Sequence, residues 1–251
     1  ATMLTISEGG FGDVIDGSKI IVENKEKLME KGNPGGQIKL AQGNATHLLK
    51  FKNNANKHVD LTNTASYKNI EYVLELTPDT LDETEAGVSK ADALLLTYAK
   101  FKDNVWAYDA AQDPSERDEV FGGISYYDKH DTDNNNLTVD GVKKDLEAAY
   151  GGKTNGLANA TNNHVVINRT NYNVAGAPGK IKKVIGGYTQ APYTVSNDVG
   201  TAGVASENEA VVYDGTVSEG LYGGYTKGNK GKARSNKAIV GGGSVANVYG
   251  G

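Results

Sequence analysis

The chain has 251 residues, of which 38% are hydrophobic, 32 are Gly and 14 are Tyr, and it carries a formal charge of −5 at pH 7. This length is enough for one large domain or two small ones with a real core. The absence of Cys excludes disulfides, thiolate nucleophiles and Cys-ligated metal centres, and the acidic net balance argues against a nucleic-acid partner.

Residues 1–74 read as short β-rich runs punctuated by Gly and Asn, among them "GDVIDG", "SKIIVEN", "GQIKLAQG" and "HLLKFKNN". They are expected to form a small capping sheet or the first coils of a solenoid. Within them, the Lys- and Glu-rich residues 23–36 predict a helix ended by Gly32 and Pro34.

Residues 75–155 predict a helical insertion or α/β subdomain. "SKADALLLTYAKFKDNVWAYDAA" opens with a capping box, Ser89 to Asp92, and Leu94, Leu95, Tyr98, Phe101 and Val105 recur at helical spacing. "VDGVKKDLEAAYGG" repeats the pattern, with Asp140 as N-cap, Val142, Leu146 and Ala149 on one face, and Gly151 as C-cap. Between them, Asp131, Asp133 and Asn135 follow the D-x-D-x-N spacing that brings oxygens to Ca²⁺, the one cofactor the sequence suggests. Gly141 stands where the bidentate acid of such a loop belongs, so a solvated acidic turn leading into the Asp140 cap is the competing reading. This stretch is the least repetitive of the chain, and Trp106, Tyr126 and Tyr127 are its candidate ligand-binding residues.

Residues 156–251 repeat. Aligned on Asn163, Asn208 and Asn236, three units each give Asn, a polar residue, a short β-rich run, a turn, and then an apolar pair leading into Gly-Gly: Val184–Ile185, Leu221–Tyr222 and Val248–Tyr249. Two short strands cannot bury a face alone, so such units should stack on one another. The Gly-Gly pair is expected to turn a tight corner at positive φ. The spacing of about 45 and then 28 residues implies inserted loops, the likeliest over residues 190–203. Tyr188 and Tyr225, at equivalent places, are expected to stack in a ladder between coils. The final "VANVYGG" stops at the end of a repeat, as a piece of a longer chain would.

The phrase carried by residues 208–226 and 236–251, with 163–189 as a looser copy, resembles the passenger repeats of bacterial type V autotransporters. The resemblance implies a right-handed parallel β-helix, displayed on the surface of a Gram-negative cell and anchored in its outer membrane through a C-terminal barrel beyond residue 251. It implies an adhesin that binds a host cell-surface protein or glycan, or another bacterium. The four His residues show no metal-binding spacing, and no serine-nucleophile elbow is present, so the sequence offers no catalytic residue and no enzyme is expected. Two further readings stand beside adhesion. One is a polysaccharide-acting β-helix enzyme, with Asp13, Asp16 and Glu23 as candidate carboxylates. The other is a structural subunit of a surface layer or fibre whose open strand edges stack on the next subunit.

Overall fold

The computed structural model describes residues 4–5, 14–16, 34–43, 48–52, 57–60, 69–77, 80–81, 83, 85–109, 118–126, 130–172, 179–191, 202–228 and 230–251. Every regular element among them is a strand, and the chain divides into two compact units.

The first unit, residues 1–31 and 35–99, holds β1 (Leu4–Thr5), β2 (Ile15–Asp16), β3 (Gly35–Gln42), β4 (Leu49–Lys52), β5 (Lys57–Asp60), β6 (Ile70–Thr77), β7 (Thr80–Leu81), β8 (Val88–Ala91) and β9 (Ala93–Lys100, whose last residue belongs to the second unit). They form two sheets, ordered β1-β3-β9-β6-β5 and β2-β4-β8-β7. The pairs β3–β9, β5–β6, β4–β8 and β7–β8 are antiparallel. Phe51, Ile70, Leu74, Leu96 and Tyr98 lie in one buried cluster.

The second unit, residues 32–34 and 100–251, is a parallel β-solenoid of about four turns. Its first sheet stacks β10 (Val105–Tyr108), β13 (Asn136–Val142), β16 (His164–Asn171), β19 (Glu209–Val212) and β22 (Lys237–Val240). The second stacks β11 (Glu119–Ile124), β14 (Leu146–Asn155), β17 (Ile181–Gln190), β20 (Thr216–Lys227) and β23 (Ser244–Val245), with β24 (Val248–Tyr249) also on β20. The third stacks β12 (Thr132–Asp133), β15 (Ala160–Thr161), β18 (Val204–Ser206) and β21 (Lys232–Arg234). Each turn thus contributes three strands, one more than the repeat pattern predicts. The register stacks like on like. Val139, Ile167 and Val212 form one file, and Val120, Ala149, Val184 and Leu221 another, all buried in a single core.

The predicted helical insertion is replaced by strands. Among the described residues of 75–155 there is no helix. In β9 burial alternates, with Leu94, Leu96 and Tyr98 inside and Leu95 and Thr97 half-exposed, so the operative period is two and the capping box at Ser89 caps nothing. Val142, Leu146 and Ala149 do share one apolar environment. It is the solenoid interior, reached from the end of β13, where Gly141 has φ +96°, and from the start of β14. Asp140 accepts from Arg169 Nε of the next turn at 2.7 Å instead of capping a helix. The helix predicted over 23–36 lies outside the described residues except at its end, where Gly35 and Gly36 open β3.

The Gly-Gly pairs also differ from expectation. Gly186–Gly187 and Gly223–Gly224 sit inside strands of the second sheet and are not among the residues with positive φ; of the pair that follows Val248–Tyr249, Gly251 alone has the expected positive φ, +92°. A Cβ on Gly186 would collide with the carbonyl oxygen of Gly223 in the next turn, and one on Gly187 with the side-chain amide of Asn208. The same holds for Gly151 and Gly152 against Gly186 and Asn163. The left-handed corner is made elsewhere, by Asp103, Asn134, Asn162, Glu207 and Ser235, each just before one of the stacked asparagines.

Those asparagines, Asn104, Asn135, Asn163, Asn208 and Asn236, form a ladder, with sequence separations of 31, 28, 45 and 28 residues. Asn163 Oδ1 accepts from Asn135 Nδ2 at 2.7 Å and from its backbone N–H at 3.3 Å. Asn163 Nδ2 in turn donates to Asn208 Oδ1 and to the Thr132 carbonyl, each at 3.0 Å. Asn208 repeats the arrangement toward Asn236. Buried amides are tolerated because these bonds satisfy them.

Candidate functional site

On β14, Leu146 and Ala149 enter the solenoid core, while Ala148 and Tyr150 belong to a separate cluster with Ile185 and Tyr188, flanked by Phe121 and Tyr222. This second cluster therefore lies on the outer face of the second sheet. Parallel pairing arranges it in two files that run from turn to turn. One is Phe121, Tyr150, Ile185, Tyr222 and Tyr249; the other is Ile124, Lys153, Tyr188 and Tyr225.

The rings stack as the strand spacing dictates. Phe121 and Tyr150 have centroids 5.6 Å apart at 12°, Tyr188 and Tyr225 5.6 Å at 3°, and Tyr222 and Tyr249 4.8 Å at 8°. The files meet edge to face at Tyr150–Tyr188 and Tyr222–Tyr225. The expected ladder of Tyr188 and Tyr225 is present. Lys153 takes the place of a ring in its file, with Nζ 4.7 Å from the Tyr150 centroid and 5.8 Å from that of Tyr188. It also pairs with Glu119 at 2.8 Å, and Glu119 accepts from Tyr150 Oη at 3.0 Å.

Stacking consumes ring faces, and of the hydroxyls Tyr150 Oη donates to Glu119 and Tyr188 Oη to Gln190 Oε1 at 2.9 Å. Burial, then the Glu119 carboxylate, raises the Tyr150 phenol far above its usual range. Burial, then Tyr225 and Glu119, pushes Tyr188 up to about 12. Burial, then Tyr249, raises Tyr222. At neutral pH these hydroxyls are protonated donors. Tyr150 and Tyr188 are buried, Tyr222 is half-buried, and Tyr225 and Tyr249 are 38% and 49% exposed. The accessible part of the face is thus Tyr222, Tyr225 and Tyr249, bordered by the Lys183–Glu219 ion pair at 3.2 Å.

The residues singled out by sequence lie elsewhere. Trp106, on β10, packs against the solenoid core with its ring 5.8 Å from that of Tyr108. Tyr126 follows β11 and is 38% exposed, and its carbonyl accepts from Asn155 Nδ2. Tyr127 lies outside the described residues. The three candidate Ca²⁺ ligands each have a separate structural partner. Asp131 Oδ1 accepts the Asn159 N–H at 2.7 Å, Asp133 pairs with Lys102 at 3.2 Å, and Asn135 is a buried rung of the ladder. Among the described residues no group of three His, Asp or Glu is placed to hold a metal ion. Of the carboxylates considered for polysaccharide cleavage, Asp16 is on β2, and Asp13 and Glu23 lie outside the described residues. The exposed tyrosines Tyr222 and Tyr249 were legible in the sequence as repeat positions but not as a surface. Comparison of the chain with protein-family models, curated proteins and solved structures finds no match in any of the three.

Proposed function

We propose that the chain is a recognition passenger of the autotransporter type, an adhesin held at the surface of a Gram-negative cell that attaches to a glycan or protein of a host or neighbouring bacterium. The observation that carries this reading is the line of partly exposed tyrosines, Tyr222, Tyr225 and Tyr249, on a rigid face that repeats once per turn. Tyr offers large amphipathic contact at low entropic cost, and here stacking has already fixed the rings. A face with a turn-by-turn repeat suits an extended or repetitive ligand better than a compact one. The parallel solenoid supports the resemblance at the level of fold, and its right-handedness, the outer-membrane anchor and the host partner are part of the proposal.

The test is binding of the whole chain to arrayed glycans and matrix proteins, repeated with Tyr222→Phe and Tyr225→Phe. Phe keeps the stacking and removes only the hydroxyl, so the fold should survive. We expect saturable, selective binding that the double variant weakens about tenfold, the loss of roughly two modest hydrogen bonds. An array without a saturable ligand, or a ligand indifferent to both substitutions, refutes the assignment of this face.

A further inference from the structure

The acidic charge of the whole chain conceals a local run of opposite sign. Residues 227–237, "KGNKGKARSNK", hold five cations and no acid. Lys227 ends β20, Lys230 sits in the following turn at φ +64°, Lys232 and Arg234 lie on β21, and Lys237 opens β22 beyond the corner at Ser235. All five side chains are exposed. On β21 the inner position is Ala233, which continues the file of Ala160 and Ala205, so Lys232 and Arg234 project sideways from the third sheet. Gly231 lies close against Thr226, on which a Cβ at that position would press. Lys232 and Arg234 are thus on one side of β21, with Lys227 and Lys230 before it and Lys237 after it along the chain.

Their pairing sets them apart. Elsewhere on the solenoid six cations find an acid on an adjacent turn, Lys102 with Asp133, Lys144 with Asp118, Lys153 with Glu119, Arg169 with Asp140, Lys182 with Glu147 and Lys183 with Glu219, while Lys143 lies over the Tyr172 ring and Lys180 stands singly among the described residues. None of the five cations of the run is in an ion pair with a described residue. The nearest acids along the ladder are Glu207, whose N–H bonds the Arg234 carbonyl, and Glu209, which stands opposite Lys237 and reaches toward His164 at 3.8 Å. Five cations against these two acids leave a net positive strip.

We propose that this strip binds an anionic polysaccharide bearing carboxylate or sulfate groups. Lys232 and Arg234 are two residues apart on a strand, about 6.6 Å between Cα atoms, a spacing suited to charges carried on successive sugars. Nucleic acid is the other polyanion to weigh. Its charge density, one per about 1.7 Å of duplex, meets an otherwise acidic protein, and the run has no aromatic side chain on which bases could stack. Lys227 borders the tyrosine face, two residues from Tyr225 on β20, but Lys232 and Arg234 lie on the third sheet, so this proposal does not rest on the function proposed above.

The experiment is calorimetric titration of the whole chain at low and moderate salt with a heparin octasaccharide, an oligogalacturonate, a neutral cello-oligosaccharide and a single-stranded oligonucleotide. We expect one or both acidic sugars to bind, the neutral sugar not to, and affinity to fall as salt rises. K232S/R234S should lose at least tenfold in affinity, K232R should retain it, and K180S, which removes a cation outside the strip, should leave it unchanged. Equal binding by the neutral sugar, indifference to K232S/R234S, no binding of either acidic sugar, or tighter binding of the oligonucleotide would each overturn the proposal. Unchanged melting of K232S/R234S keeps a lost signal attributable to the strip.

Discussion

Asn163 illustrates why a polar side chain can occupy the interior of this solenoid. Its amide makes two acceptor and two donor bonds with groups on the turns either side, so it loses little on leaving water and fixes the stacking register of its neighbours. Asn163→Ala strands the Asn135 donors and the Thr132 carbonyl, and we expect it to cost about 3 kcal/mol in chemical unfolding. Asn163→Asp keeps the shape but sets an acceptor against the Thr132 carbonyl and Asn208 Oδ1, so it should cost at least as much. A loss under 1 kcal/mol in both would mean that packing alone holds the turns. Tyr188 supplies a pH-dependent counterpart. Its phenol stands at about 12 in the folded state against an ordinary value of 10.0. Because folding raises it, its contribution is fully present below pH 10 and is lost as pH rises through about 12. Thermal melts between pH 9 and 12 should show a steeper alkaline loss for the parent than for Tyr188→Phe, and identical slopes would contradict this.

At the scale of the element, the repeat is defined by close approach. Two glycines in mid-strand let one turn's carbonyl and the ladder amide come within contact distance, a demand that no residue with a Cβ meets. We expect Gly187→Ala to destabilise by about 2–3 kcal/mol through overpacking. Ser235→Gly, at a corner residue of φ +56°, should stay within about 1 kcal/mol of the parent, because relief of the left-handed backbone offsets the added unfolded-state entropy. The reverse ranking would return the corner to the Gly-Gly pair. The alignment on Asn163, Asn208 and Asn236 was legible because sequence repeats where structure repeats, and the structure pairs Val184 with Leu221 and Leu221 with Val248 as the alignment requires. Two further copies were present but hidden. Val120–Phe121–Gly122–Gly123 and Ala149–Tyr150–Gly151–Gly152 carry the same phrase, and Asn135, 28 residues before Asn163, opens the unit that holds the second. Lys143, Lys144, Glu147 and the alanines around them gave that copy a helical composition, and local propensity outweighed the period. The third strand of each turn escaped notice because it is two or three residues long, too short for any alternation to show. The tyrosine face was partly legible, as a ladder, but which of its rings remain accessible depends on stacking that no single strand encodes.

At the scale of the molecule, a solenoid is close to one-dimensional, since each turn contacts only its neighbours and stability is the sum of turns and of the interfaces between them. In a polypeptide of these 251 residues the turns of β13 to β20 each pack between two others, and the turn built from β22, β23 and β24 packs on that of β19 and β20. The difference shows in equivalent residues: Val212 is 0% exposed and Val240, its partner in the next turn, 45%, while Leu221 is 0% and Val248 49%. This turn shares the Asn ladder through Asn236 and the ring stack through Tyr249. Opening it breaks one interface, and opening β16 or β17 breaks two. Native-state hydrogen exchange of this chain should therefore show amides of β22–β24 exchanging through local opening of low free energy, and those of β16 and β17 only through the largest opening. Protection should rise stepwise, turn by turn, toward β16 and β17, and Tyr249→Ala should lower it in β24 and β20 while leaving β13 unchanged. Uniform protection across β13–β24 would instead mean that the solenoid opens as a single cooperative block, with the ladder coupling all turns more strongly than nearest-neighbour packing provides.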